Sequence, residues 1–174
     1  MDTDALRAEA EKLYHAGQLN ESAAAFEQAR AEFVAQGNAA QAASVANDLG
    51  VVYFLNGKPD QAREALNDAL GAFEKLGDVI GQAKAIGNLA QLMSRVGDKA
   101  GAEKNYTRAA ELFHQTGERG MEHDTYRALS QMQLQRGHLL EALAAYDRAL
   151  AAKGGSGLLR AFLQIPLKLV GLRK

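Results

Sequence analysis

Residues 47–66 read NDLGVVYFLNGKPDQAREAL, and this stretch contains a turn between two helix-forming segments. Gly57 stands where a glycine in the left-handed conformation closes the last turn of a helix. Pro59 follows it at an early helical position, where a missing N–H costs nothing. The flanking residues are rich in Ala, Leu, Glu, Gln and Arg, which favour helix. The stretch therefore predicts two helices joined by a tight turn.

The same turn signal recurs along the chain. Glycines spaced by 40 residues occupy positions Gly17, Gly57, Gly97 and Gly137, and others fall midway at Gly37, Gly77 and Gly117, with Gly157 continuing the series. Polar residues that can cap a following helix come directly after three of these glycines, as Asn38, Asp78 and Asp98. The pattern predicts seven or eight helices of about 14–18 residues, with each 40-residue unit forming an antiparallel pair.

Aligned on the first glycine, the units share columns of similar residues. Small residues form the columns Ser22, Ala62, Ala102, Ala142; Ala29, Ala69, Ala109, Ala149; and, in the first helices, Ala10, Gly50, Ala90, Ser130. A bulky column lies between the first two, as Phe26, Leu66, Tyr106 and Tyr146. Small residues let helix axes approach closely, and bulky residues fill the neighbouring groove. The columns predict an all-α fold, a right-handed superhelical solenoid of four antiparallel helix pairs plus a C-terminal amphipathic helix.

The predicted organisation is one repeat domain followed by a short tail. The repeats cover residues 1–153 in four units at about 3–37, 38–77, 78–117 and 118–153. Glycine and serine at residues 154–157 predict a flexible linker. The tail comprises residues 158–174.

Residues 3–152 resemble the tetratricopeptide repeat, most closely over residues 47–66 and over GNLAQLMSRVGDKAGAEKNYTRA, residues 87–109. Two departures from the usual repeat are a missing Trp near the start of each unit and a missing Pro after the second helix. The second helix is instead predicted to run about six residues longer. Phe33, Phe73 and Phe113 occupy this extension. The chain thereby resembles a longer repeat subclass of cell-polarity and motor adaptor proteins, which bind extended peptides.

The resemblance implies that the first helix of each pair lines a concave, partner-binding face. The residues expected there lie off the packing columns: Arg7, Glu11, Tyr14, Asn47, Asp48, Val51, Phe54, Lys84, Asn88, Gln91, Arg95, Arg127, Gln131 and Leu134. Asn88 matches a family position whose amide contacts the backbone of a bound peptide, and an amide can donate and accept at once. Asp48 takes that position in the second unit. The alternative is that these residues form solvated helix faces.

A more specific mode in this family, the clamp for a chaperone tail carboxylate, is not expected. The corresponding residues are Arg7 with Glu11, then Asp48, then Lys84 with Asn88. Glu11 and Asp48 are acidic, and an acidic side chain repels a carboxylate.

Composition argues against other classes of function. Residues 1–157 carry 16 basic and 21 acidic residues, a net charge of −5, which argues against nucleic acid as the main ligand. The chain has no cysteine, and His15, His114, His123 and His138 never fall at metal-ligand spacing, so neither a metal nor another cofactor is expected. The sequence has no nucleophile elbow, phosphate loop or cysteine nucleophile, so we expect a non-enzymatic protein. The acidic start indicates that there is no secretory signal, and no apolar run is long enough to span a membrane, so we expect a cytoplasmic protein.

The tail is the irregular part of the sequence. Lys153 stands where Phe33, Phe73 and Phe113 stood. Apolar residues then follow at helical spacing, as Leu158, Phe162, Ile165, Leu169 and Leu172, with Arg160, Gln164, Lys168 and Lys174 opposite. Pro166 is expected to kink such a helix. The tail has a net charge of +4.

Three interpretations of the tail compete. It can cap the last helix pair, because Leu169 falls 40 residues after Leu129, and Leu172 falls 40 after Met132. It can lie on an anionic membrane surface with its basic side toward the headgroups. It can also dock on a partner or on the groove of a second copy. The main prediction is therefore an adaptor or assembly factor that binds a protein segment. The alternatives are a peripheral protein on the inner face of a membrane and a self-associating scaffold.

Overall fold

The computed structural model describes residues 2–155. This part consists of eight α-helices, without strands: α1 Thr3–His15, α2 Leu19–Ala35, α3 Ala39–Leu55, α4 Pro59–Leu76, α5 Val79–Arg95, α6 Lys99–Thr116, α7 Arg119–Gln135 and α8 Leu139–Ala152. Each helix packs on its neighbours in sequence, and α3 also contacts α5. The all-α fold of stacked helix pairs is confirmed. The handedness of the superhelix stays a prediction, and the tail, residues 158–174, lies outside the described residues.

The predicted turn chemistry is confirmed. Gly77 ends α4 in the left-handed region, with φ of 68°, and its N–H donates to the carbonyl of Glu74. Asp78 then begins α5 by accepting from the N–H of Gly81 at 2.8 Å. Asn38 and Asp98 cap α3 and α6 in the same way, and Pro59 is the first residue of α4. Local sequence therefore sets where each helix begins and ends.

The predicted columns form the core between the helices. All members of the column Ala29, Ala69, Ala109 and Ala149 are buried, as are Phe26, Leu66 and Tyr106 of the bulky column. Tyr146 differs, because 38% of it is exposed. In the described part of the chain, no helix pair follows α8 to cover it.

The extension of the second helices is confirmed. α2, α4 and α6 run to Ala35, Leu76 and Thr116, and their extensions bury Phe33, Phe73 and Phe113 against the first helices. α8 lacks the extension, since it ends at Ala152 and Lys153 is exposed. The regular stack therefore stops where the sequence pattern stops.

Candidate functional site: a groove across the first helices

Two depressions lie along the side of the stack formed by the first helices. One, of about 330 Å³, is lined mainly by α1 and α3: Arg7, Glu11, Tyr14, His15, Phe26, Asp48, Val51 and Val52. The other, of about 510 Å³, is lined by Asn47, Asp48, Val51, Ala83, Lys84, Gly87, Asn88, Gln91, Tyr106, Phe113, Met121, Asp124, Thr125 and Ala128. Asp48 and Val51 line both depressions, which are therefore adjacent. We call them together the first-helix groove.

The larger depression combines buried apolar residues with exposed polar ones. Ala83, Tyr106 and Phe113 are buried, while Lys84 and Gln91 are exposed. Gly87 has no side chain that projects into the groove. A methyl group at this position would contact Ala109, at 3.8 Å from its Cβ atom. Apolar residues with a few polar groups placed among them are typical of ligand sites.

Arg7 joins α1 to α3 at one end of the groove. Its guanidinium donates to Gln41 at 2.7 Å, to Ser44 at 3.2 Å and to Asp48 at 3.1 Å. Its Nε also donates to Glu11 at 3.1 Å. The charge of Arg7 is thus already balanced by carboxylates within the chain.

Asp48 lies at the centre of a polar network that crosses three helices. Burial raises the pKa of Asp48 above its ordinary value of 3.8, and the positive charge of Arg7 and a hydrogen bond from Asn47 act against this rise. Asn47 is buried, and its carbonyl oxygen accepts from the amide of Asn88 at 2.9 Å. This network orders the groove lining. Asn88 has further donor and acceptor capacity, because an amide offers two N–H groups and a carbonyl.

The structure brings together most, though not all, of the residues predicted for this face. Arg7, Tyr14, Asn47, Asp48, Lys84, Asn88 and Gln91 line the groove, together with Glu11 and Val51. Phe54 instead packs half-buried against the core. Arg95, Arg127, Gln131 and Leu134 are exposed and do not line either depression.

The residues of α6 and α7 that line the groove were missed, since the residues predicted from α7 were Arg127, Gln131 and Leu134. Asp124 and Ala128 stand 40 residues after Lys84 and Asn88, so the repeat register contained the signal for these two. Tyr106 and Phe113 belong to columns assigned to the core, where both are buried. Both also line the groove, which the register does not reveal.

Titratable groups elsewhere have structural partners. His123 is buried and donates from Nδ1 to the carbonyl of Ala149 at 2.8 Å, which ties α7 to α8. Glu122 is buried beside His114 and Arg119, at 3.0 and 3.2 Å. Within residues 2–155 no three His, Asp or Glu side chains converge as a metal site. In the same part of the chain, no helix is long and apolar enough to cross a membrane.

Stacked antiparallel helix pairs with a groove across their first helices define a helical repeat protein of the protein-interaction class. A tetratricopeptide repeat model matches residues 4–75 and again residues 41–115. The chain therefore belongs to the tetratricopeptide repeat family, whose members are typically non-enzymatic interaction scaffolds.

Solved structures of low sequence identity share the fold. BtubC (BKLC) from P. vanneervenii is similar with a TM-score of 0.74 and 20% identity, over 87% of this chain and 63% of that one. This chain thus spans less than two thirds of BtubC. A putative kinesin light chain from Podosopora anserina with TPR-like repeats has a TM-score of 0.67 and 14% identity, over 97% and 94% of the two chains. MamA has a TM-score of 0.61 and 22% identity, over 94% and 85%. No curated protein matches the sequence.

Proposed function

We propose that this protein is a non-enzymatic adaptor or assembly factor that holds an extended or helical segment of another protein in the first-helix groove. The observation that carries the proposal is that the two depressions adjoin at Asp48 and Val51 along the first helices. Two adjoining depressions offer room for a chain segment of several residues. An extended segment exposes amide groups at every residue, and the side chains of Asn88 and Gln91 can pair with them.

The charges along the groove favour a peptide over a polyanion. Glu11, Asp48 and Asp124 are acidic, against Arg7 and Lys84. Phosphate backbones are bound by clustered Lys and Arg, and the groove has no such cluster. Its apolar residues can receive the side chains of a protein segment.

Capture of partners from native extract on the immobilised full chain, followed by mass spectrometry, tests the proposal. The informative variant is Lys84→Glu, since Lys84 is exposed and lines the groove. Lys104→Glu is the matched control, because it makes the same charge change at an exposed position of α6 outside the groove. Proteins lost with Lys84→Glu and retained with Lys104→Glu are the expected result. Equal capture by both variants would count against groove binding.

Recruitment to an anionic membrane through residues 158–174 stays an alternative prediction, as does self-association through the tail. The cytoplasmic location also stays a prediction. The support for membrane recruitment is the tail sequence, which has Arg160 and Lys168 beside an apolar stripe and contains no acidic residue. Flotation with anionic liposomes of the full chain and of residues 1–153 tests it. Equal flotation of the two would remove the membrane alternative, and gel filtration of the same pair tests self-association.

A further inference from the structure

The outward side of α8 is an apolar face that the described residues leave uncovered. Leu139, Leu143, Tyr146 and Leu150 follow each other at helical spacing along it. Leu139 is 58% exposed and Tyr146 38% exposed, and the other two are half-buried. The residues equivalent to Tyr146 in α2, α4 and α6 are at most 7% exposed. At Tyr146, the α8 face therefore lacks what covers its counterparts.

The counterparts are covered by the first helix of the next unit. Phe26 of α2 packs in one cluster with Val45, Leu49 and Val52 of α3. Tyr106 of α6 packs likewise with Leu129 and Met132 of α7. The covering residues therefore come from a fixed set of positions in the repeat.

We propose that residues 158–174 of the same chain cover the α8 face as the first helix of a fifth unit. Helix α7 begins at Arg119, so a fifth first helix in register begins at 159. Ile165, Leu169 and Leu172 then stand 120 residues after Val45, Leu49 and Val52. The apolar stripe of the tail thus coincides with the covering positions of the repeat. An amphipathic segment with no relation to the repeat has no reason to share that register.

The polar residues of the tail fit the same register. Gln164 stands 80 residues after Lys84, which is exposed, and Lys168 stands 80 after Asn88, which is half-buried and lines the groove. Packing on α8 in this register therefore leaves Gln164 in water and Lys168 at a partly accessible position. Some residues depart from the pattern. Pro166 interrupts the helical hydrogen bonds, Val170 takes the position of the small residues Gly50 and Ala90, and Arg173 takes the position of Tyr53.

The connection is long enough for the tail to reach α8 of its own chain. Helix α8 ends at Ala152, and residues 153–157 precede the tail. Five extended residues span up to about 17 Å, at roughly 3.3 Å each. Packed helix axes lie about 8–10 Å apart. A second copy is therefore not needed to supply the covering segment.

Tryptophan substitution gives a direct test, because the chain has no Trp. Phe162→Trp places the reporter at the position equivalent to Ala42, which is buried in α3. Gln164→Trp is the matched control on the polar side. In buffer without lipid, we expect Phe162→Trp to emit at shorter wavelength and to be quenched several-fold less by acrylamide than Gln164→Trp. Equal quenching of the two reporters in buffer would overturn the proposal. If anionic vesicles then protected Phe162→Trp, the tail would bind the membrane surface rather than α8.

A second substitution identifies the surface that protects the reporter. Adding Tyr146→Asp to Phe162→Trp is expected to raise quenching to the level of Gln164→Trp. Adding Glu141→Ala, at an exposed position of the same helix, is expected to leave it unchanged. If Tyr146→Asp reduces the helical circular dichroism, Leu139→Asp takes its place. Protection of the Trp reporter that survives the acidic substitution in α8 would exclude covering of the α8 face by the tail. Protection that disappears when the protein is diluted would exclude covering by the tail of the same chain.

Discussion

Gly50 shows how a single small residue sets the distance between α3 and α4. A Cβ atom at Gly50 would lie 2.6 Å from Cγ of Leu66, which is fully buried. We predict that Gly50→Ala lowers the free energy of unfolding by about 1–3 kcal/mol, the usual cost of overpacking a core. Urea unfolding followed by circular dichroism measures this.

The control for Gly50→Ala is Gly71→Ala, in α4. A Cβ atom at Gly71 meets no atom within 4 Å. Alanine is a better helix former than glycine, so this substitution should stabilise the protein by about 0.5–1 kcal/mol. Destabilisation by both variants would show that the close approach of α3 and α4 is not the cause.

Asp48 and Arg7 make the groove lining sensitive to charge. Arg7 is the strongest influence that lowers the pKa of Asp48, against the rise caused by burial. We therefore predict that Arg7→Met raises the Asp48 pKa further. When the pKa of a carboxyl group is higher in the folded state than in the unfolded state, the folded state is destabilised at any pH above the folded-state pKa. This destabilisation decreases as the pH falls below the folded-state pKa toward the pKa of the unfolded state.

The stability deficit of Arg7→Met relative to wild type should therefore be largest at neutral pH and shrink as the pH falls toward 3.8. Carboxyl NMR titration measures the Asp48 pKa, and urea unfolding at several pH values measures the deficit. In the double variant Arg7→Met, Asp48→Asn, this pH dependence should disappear. An unchanged Asp48 pKa in Arg7→Met would contradict the argument.

At the scale of the helix, the extension of α4 is held by Phe73. This ring is buried in a cluster with Ala43, Ala46, Ala69 and Ala85, so it is the large member of an otherwise small-residue contact. We predict that Phe73→Ala lowers the free energy of unfolding by about 3–5 kcal/mol through the cavity left behind.

Leu76→Ala is the control, because Leu76 is an exposed residue at the end of the same helix. Its effect should stay within about 0.5 kcal/mol, as for other surface positions. Thermal unfolding of both variants makes the comparison. Equal losses would mean that the extension contributes through helix length rather than through burial of the phenyl ring.

For the whole molecule, the contacts predict uneven stability along the chain. Helices contact mainly their sequence neighbours, so a terminal pair has one interface with the rest and an inner pair has two. We predict that amides of α3–α6 exchange with deuterium more slowly than those of α1, because opening the N-terminal end breaks fewer contacts. Hydrogen exchange with mass spectrometry measures this. Uniform protection of all eight helices would show instead a single cooperative unit.

Much of the fold was predictable because its signals are local and repeated. Gly77 and Asp78 end one helix and begin the next through backbone conformation and a hydrogen bond three residues away. The columns could be read because 40-residue periodicity reports the same packing position several times. The candidate site was predictable to the extent that it follows that periodicity, as Lys84, Asn88 and Gln91 do.

The rest depended on contacts between residues far apart in sequence. The ion pair of Arg7 with Asp48 joins residues 41 positions apart, and it determines that Arg7 is held within the chain. Tyr106 and Phe113 are buried and yet line the groove together with residues of α3, α5 and α7. Tyr146 shares its column with buried residues and is nevertheless exposed, because burial requires a following helix. Composition and period thus determine the helices and their stacking, whereas groove shape and side-chain pairing arise where several helices meet.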